Sequence, residues 1–188
     1  MRKDLGAKEW LYPMPAVVVA TWDEKGLPDA MMASWVGISD NKEIGLCLDA
    51  SHKTVANILH RRAFTVSPAT VDHIKECDYL GVVSDKSAPD KFKTSGLHAL
   101  QAPHVDAPLI EQLPLAIECE LLSYDKKSGH LLARIVNVSA DDLILGAKGK
   151  INVRAFRPIV FDPANNTYYE LGESVAKAFN VGLALKKG

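Results

Sequence analysis

With 188 residues, 47% of them apolar and 24% charged, the chain has the make-up of an ordinary globular protein, long enough for one domain with a real core. A formal net charge of −1 excludes the global basic field of a nucleic-acid binder, and no apolar stretch reaches the roughly 20 residues of a membrane helix. The opening stretch MRKDLGAKEWLYPMP has no apolar signal core, and Cys47, Cys77 and Cys119 lie far apart without CxxC spacing. Reduced thiols, a cytoplasmic location and a single domain over residues 1–188 are therefore expected.

The elements follow in chain order. PAVVVATW (15–22) is a β-branched strand, and DEKGLPD is a turn punctuated by Gly26 and Pro28. AMMASWVGIS (30–39) reads as one return strand, and EIGLCLDA (43–50) as a third strand. From 52 to 63, Val55, Ile58 and Leu59 recur at helical spacing and predict a short amphipathic helix. AFTVSPA (63–69) is a strand stopped by Pro68, and Thr70 with Asp72 opens a helix ending near Gly81. SDKSAPDKFKTSG (84–96) is a loop or short helix, and Pro103 and Pro108 interrupt residues 98–113.

Two long strands, 115–125 and 130–141, flank the hairpin loop KKSG. In the first, Ile117, Cys119 and Leu121 alternate with Glu118 and Glu120, the pattern of a half-buried face. RPIVFD and TYYEL are short strands around the turn PANN, and a helix is expected around 173–182. Many strands with few helices point to a small β-barrel with helical decoration.

Motif spacing is mostly negative. There is no Gly-rich dinucleotide fingerprint, phosphate loop or HExxH, and catalysis with a borrowed cofactor fits better than a side-chain nucleophile. The exception is DASHKT (49–54), where a strand gives way to a helix. A helix N-terminus carries free N–H groups and about half a positive charge, so with Ser51, Lys53 and Thr54 it could hold a phosphate. The plainer reading is that Ser51 is an N-cap.

Six pieces in register resemble the flavin reductase-like family, the FMN-binding split-barrel proteins that include flavoredoxin. They are the hairpin with Ala33-Ser34-Trp35, SHKTVANI, AFTVSPA, APDKFKTSGL, APLIEQLPLAIEC and YYELGE. The likeness covers nearly the whole chain, from Tyr12 to about Gly182. It implies an antiparallel split β-barrel with short flanking helices, mainly β in class. It also implies a homodimer with one FMN per subunit near the interface. The phosphate would sit at Ser51, His52, Lys53 and Thr54, and the ring against the strand carrying Met32, Ala33, Ser34 and Trp35. Met32 stands where the family commonly has threonine, Ser67 where it commonly has asparagine, and arginine or serine is usual near Ser51 or Lys53.

The residues agree with that implication, each beside a plainer alternative. Ala33 and Ser34 are small enough for a ligand to approach the backbone, while Trp35 stacks nearby or is plain core. Met31 and Met32 suit core filling. Lys91 meets the phosphate or the pyrimidine edge of the flavin, or is a solvated surface lysine, and Phe92 anchors its loop. Two functional classes stay open: an oxidoreductase taking hydride from NADH or NADPH, and an electron carrier served by a partner protein. A third is a split-barrel protein without FMN.

Overall fold

The computed structural model describes residues 1–84 and 87–186, so Asp85 and Lys86 of the loop expected at 84–96 lie outside the described residues. The strands are β1 (Met14–Pro15), β2 (Val17–Trp22), β3 (Pro28–Ala33), β4 (Val36–Asp40), β5 (Glu43–Cys47), β6 (Ala63–Pro68), β7 (Ala99–Gln101), β8 (Pro108–Ile110), β9 (Leu115–Tyr124), β10 (His130–Ala140), β11 (Ile159–Asp162) and β12 (Thr167–Glu170). Among the described residues four α-helices accompany them: α1 (Lys53–Arg61), α2 (Ile74–Val82), α3 (Lys91–Ser95) and α4 (Val153–Phe156).

Seven strands form one antiparallel sheet in the order β3-β2-β6-β9-β10-β5-β4. Its two edge strands, β3 and β4, are consecutive in the chain and joined only by Ser34 and Trp35. Three Cα steps reach at most about 11 Å, so the sheet must curl until its edges face each other. The result is a split barrel: nearly closed, with no ladder across the seam. The single return strand expected over 30–39 is therefore two strands. Val17 pairs with Ala33 on one side of the break, and Val36 with Leu46 on the other. No proline or glycine marks the break, because closure of the barrel imposes it.

The barrel interior is filled from alternating strand positions, with Val17, Val19, Phe64, Val66, Cys119 and Leu121 packed on Val55 and Ile58 of α1. A second layer forms outside the sheet, where Val18, Ala20 and Ala30 pack on Cys77 and Leu80 of α2 and on Phe92. The alternation expected in β9 holds for Cys119, Leu121 and exposed Glu120 but fails at Glu118, which is fully buried. The segment around β7 and β8 covers that face. Glu118 accepts bonds there from the His104 N–H at 2.9 Å and Asn137 Nδ2 at 2.8 Å, with His104 Nδ1 at 3.1 Å.

Residues 98–113 resolve into the β7–β8 hairpin, and β1, β11 and β12 make a side sheet. The helix expected around 173–182 is absent. Residues 172–178 have no regular structure, and Val181–Leu185 is a 3-10 turn. Val175 and Phe179 are 98% and 101% exposed, so a helix there would have no apolar surface of its own chain to pack on.

Candidate cofactor cleft

The turn before α1 is built by Asp49. Its Oδ1 accepts the Ser51 N–H at 2.7 Å, and its carbonyl accepts the His52 N–H at 3.2 Å. That turn moves the start of the helix along one residue. His52, with extended φ −71° and ψ 137°, stands at the cap and supplies no side-chain cap bond. The reading of Ser51 as N-cap is thereby corrected: Ser51 is exposed and lies outside the cap. The first turn of α1 keeps N–H groups that no cap side chain takes up, and no acidic side chain stands in it.

Beneath this turn lies a buried polar cluster centred on Asp29 of β3. Thr54 Oγ1 donates to Asp29 Oδ2 at 2.7 Å, Asn57 Nδ2 donates to the same oxygen at 3.1 Å, and Lys91 Nζ is 3.9 Å from Oδ1. Lys91 is 4% exposed, which removes the surface-lysine reading. Lys53 reaches the other way, with Nζ 3.6 Å from Asp23 Oδ2. Burial pushes the Asp23 carboxyl up, but N–H bonds from Leu27 and Lys25 and the charge of Lys53 outweigh it and hold it below the usual range.

Two adjoining cavities open over these groups. One, of about 190 Å³, is lined by Ser51, His52, Lys53, Thr54 and Lys91 and by the chain leaving α2. The other, of about 310 Å³, is a mostly apolar slot between β3, α2 and the side sheet, with Met32, Ala33, Ser34 and Trp35 along one wall. They share Met31, His52, Gly81 and Val82, so they form one cleft. A larger groove of about 680 Å³ shares Ser34, Trp35 and Cys47 with the slot and includes Leu11, Ile38, Tyr124 and His130. Trp35, half exposed, lines both cleft and groove.

Of the ten residues expected at the site, nine line this cleft. Ser67 does not. It is fully buried on the face of β6 opposite Phe64 and Val66, and its Oγ has no hydrogen-bond partner among the described residues. Thr54 lines the cleft, but its hydroxyl proton is given to Asp29. Sequence reasoning missed Asp29, which hides in a turn-like GLPDA, and Asp78, Gly81 and Val82 of α2. The spacing of those three, i, i+3 and i+4, is the signal that one helix face serves the slot. Cys77 and Cys119 are buried and their thiols are pushed up to about 12, so neither is a nucleophile.

The family model described as "Flavin reductase like domain" matches residues 10–154. The fold superposes on the flavoredoxin of Desulfovibrio vulgaris (Miyazaki F) with a TM-score of 0.92 at 34% identity, covering 97% of this chain and 100% of that one. It superposes on an FMN-binding domain of a flavin reductases-like enzyme from Shewanella baltica OS155 with a TM-score of 0.78 at 20% identity, covering 87% and 88% of the two chains. An uncharacterized protein of Aeropyrum pernix is 25% identical over 155 residues, 80% of this chain, and the chain spans only 58% of that relative's length. The seven-stranded split barrel, the family match and the flavoredoxin likeness agree, and the chain belongs to the flavin reductase-like family.

Proposed function

We propose that the chain binds FMN in this cleft, one flavin per subunit of a homodimer, and transfers electrons from NADH or NADPH to free flavin, iron or a partner protein. The observation that carries the reading is the joining of two unlike cavities. An uncapped helix N-terminus with Lys53 beside it opens directly into a flat apolar slot. A terminal phosphate fits the first by charge, and a broad aromatic ring fits the second. The slot reaches the lower end of cofactor-site volumes, about 300–1,000 Å³, before the phosphate end is added.

In this assignment the N–H groups of the first turn of α1 hold the phosphate, and Lys53, paired with Asp23, adds its positive charge from the cavity wall. Thr54 contributes its backbone N–H, and its side chain fixes the turn to Asp29. Met32 and Trp35 wall the slot and keep water from the ring. FMN held there would supply two-electron, one-proton redox chemistry, as a hydride from a nicotinamide or as electrons from a partner protein with a proton from water, and the ring would gain one negative charge. The buried thiols of Cys77 and Cys119 take no part in this chemistry. The chain's part is to bind, orient and exclude water.

The homodimer reading is supported by exposed apolar surface on β4 and the tail, where Ile38, Val175 and Phe179 face away from their own chain. The 34% identity to a flavoredoxin favours a second reading, electron carriage without a nicotinamide site. One experiment separates the two. NADH added without oxygen to the purified flavoprotein bleaches the flavin absorbance in the first case and leaves it intact in the second. Heat-released flavin should chromatograph as FMN in stoichiometric amount. FAD, or no flavin after reconstitution, refutes the cofactor assignment.

A further inference from the structure

Charge is unevenly distributed along the cleft. The phosphate end carries Lys53 and Lys91. The slot carries no lysine or arginine among its described lining residues, and its acidic member is Asp78. Asp78 lies on the same face of α2 as Gly81 and Val82, and the Tyr168 hydroxyl of β12 donates to Asp78 Oδ1 at 2.8 Å. That hydroxyl also lies 3.6 Å from Met32 Sδ, so the carboxylate is anchored against the slot wall. Burial, followed by the Asp78 bond, pushes the Tyr168 phenol up, and it stays a donor at any physiological pH.

Resting on the FMN reading above, we propose that Asp78 sets the reduction potential of the bound flavin. Its carboxylate, held in the slot wall by Tyr168, opposes the negative charge that the ring gains with two electrons and one proton. Oxidised flavin is then bound in preference to reduced flavin, which lowers the potential. Like charges near a low-dielectric surface repel more strongly than in water, and the apolar slot offers little to screen them. The fold alone needs only a Tyr168 acceptor at this position to tie β12 to α2. An asparagine would meet that need, so the charge is a separable feature.

The test compares wild-type protein, Asp78→Asn and Tyr168→Phe. FMN affinity is measured in both redox states, and the midpoint potential by dithionite titration against a reference dye. Asp78→Asn keeps the acceptor and removes the charge. It should favour reduced over oxidised FMN by at least about threefold relative to wild type, a rise of about 14 mV for a two-electron couple. Tyr168→Phe leaves the charge but releases the carboxylate from the slot wall, and should move the potential up by less than Asp78→Asn does. An Asp78→Asn potential equal to wild type, or a folded Asp78→Asn protein that takes up no FMN, overturns the inference alone. If Asp78→Asn does not fold, Tyr168→Phe decides: a potential that falls or stays put overturns it. Wild-type protein that takes up no FMN overturns the cofactor reading and this inference with it.

Discussion

Lys91 Nζ stands 3.9 Å from Asp29 Oδ1, with both side chains almost wholly withdrawn from water. The other oxygen of the same carboxylate holds Thr54 and Asn57. One side chain of β3 therefore ties α1 and α3 to the barrel edge, directly below the helix N-terminus that faces the cleft.

Removing that centre should cost stability as well as binding. Asp29→Ala removes the acceptor of Thr54 and Asn57 together with a buried ionic partner of Lys91, and breaking a buried pair costs about 3–5 kcal/mol. Urea unfolding of Asp29→Ala, Lys91→Met and the double variant should show the double losing less than the sum of the singles. Strict additivity would mean that the two groups do not sense each other.

Charge reversal at Lys53 tests the phosphate end. Lys53→Glu should weaken FMN binding more than about tenfold, since a charge-assisted bond is worth about 1.5–3 kcal/mol. Ser51→Ala should change affinity little, because Ser51 is outside the cap and exposed. Quenching of FMN fluorescence gives both constants. Equal affinities in Lys53→Glu and wild type would move the phosphate elsewhere.

At Gly81, α2 packs tightly against Met32 of β3. A Cβ there would stand 3.0 Å from Met32 Cβ, well inside the favourable carbon–carbon separation of about 3.5–4.0 Å. Gly81→Ala must push α2 off the wall that both cavities share. Weaker FMN binding with a cooperative, slightly lowered melting transition is the expected pair of results.

Glu118 gives a pH signature. Burial raises its carboxyl, but the bonds from Asn137 and His104 outweigh that and hold it below its ordinary 4.5. A carboxylate depressed in the folded state contributes stability in full above the unfolded value. That contribution is lost as pH falls through the lower folded value. Urea midpoints at about pH 6 and about pH 3.5 should therefore fall further for wild type than for Glu118→Gln. Parallel curves would remove Glu118 from the acid transition.

Assembly can be tested without touching the cleft. Tyr168 of β12 lines the slot, so the cut must come after that strand. A chain ending at Glu170 keeps the side sheet and loses the exposed tail residues Val175 and Phe179. Light scattering should give twice the 20.5 kDa chain mass for the full protein and a smaller weight-average mass for the shortened one.

Much of the barrel was legible because its strands are locally patterned. Val17 to Ala20, Phe64 to Val66 and the β9–β10 pair carry β-branched or alternating runs that bury where they should. What escaped is set by distant partners. The break at Ser34 and Trp35 follows from closure of the sheet, which no local residue announces. Glu118 reads as a solvent-facing position until the segment carrying His104 folds over it. The tail pattern has helical spacing but no surface to bury it. At the cleft, SHKT identified the helix start, yet the inward turn of Thr54 depends on Asp29, twenty-five residues earlier.

The two-residue seam between β3 and β4 has a consequence for how this chain can change length. An inserted residue after Ser34 would reverse the inward and outward faces of β4 or force a bulge, because side-chain direction alternates with every residue. It would also displace Trp35, which lines both cleft and groove. The hairpin tip at Lys126 and Lys127 is exposed and lines neither cavity of the cleft, although Asp125 beside it lines the groove, so it can lengthen at the small cost of a longer loop. A tag, label or inserted domain belongs at that tip, and the seam is the place where even one added residue should be refused.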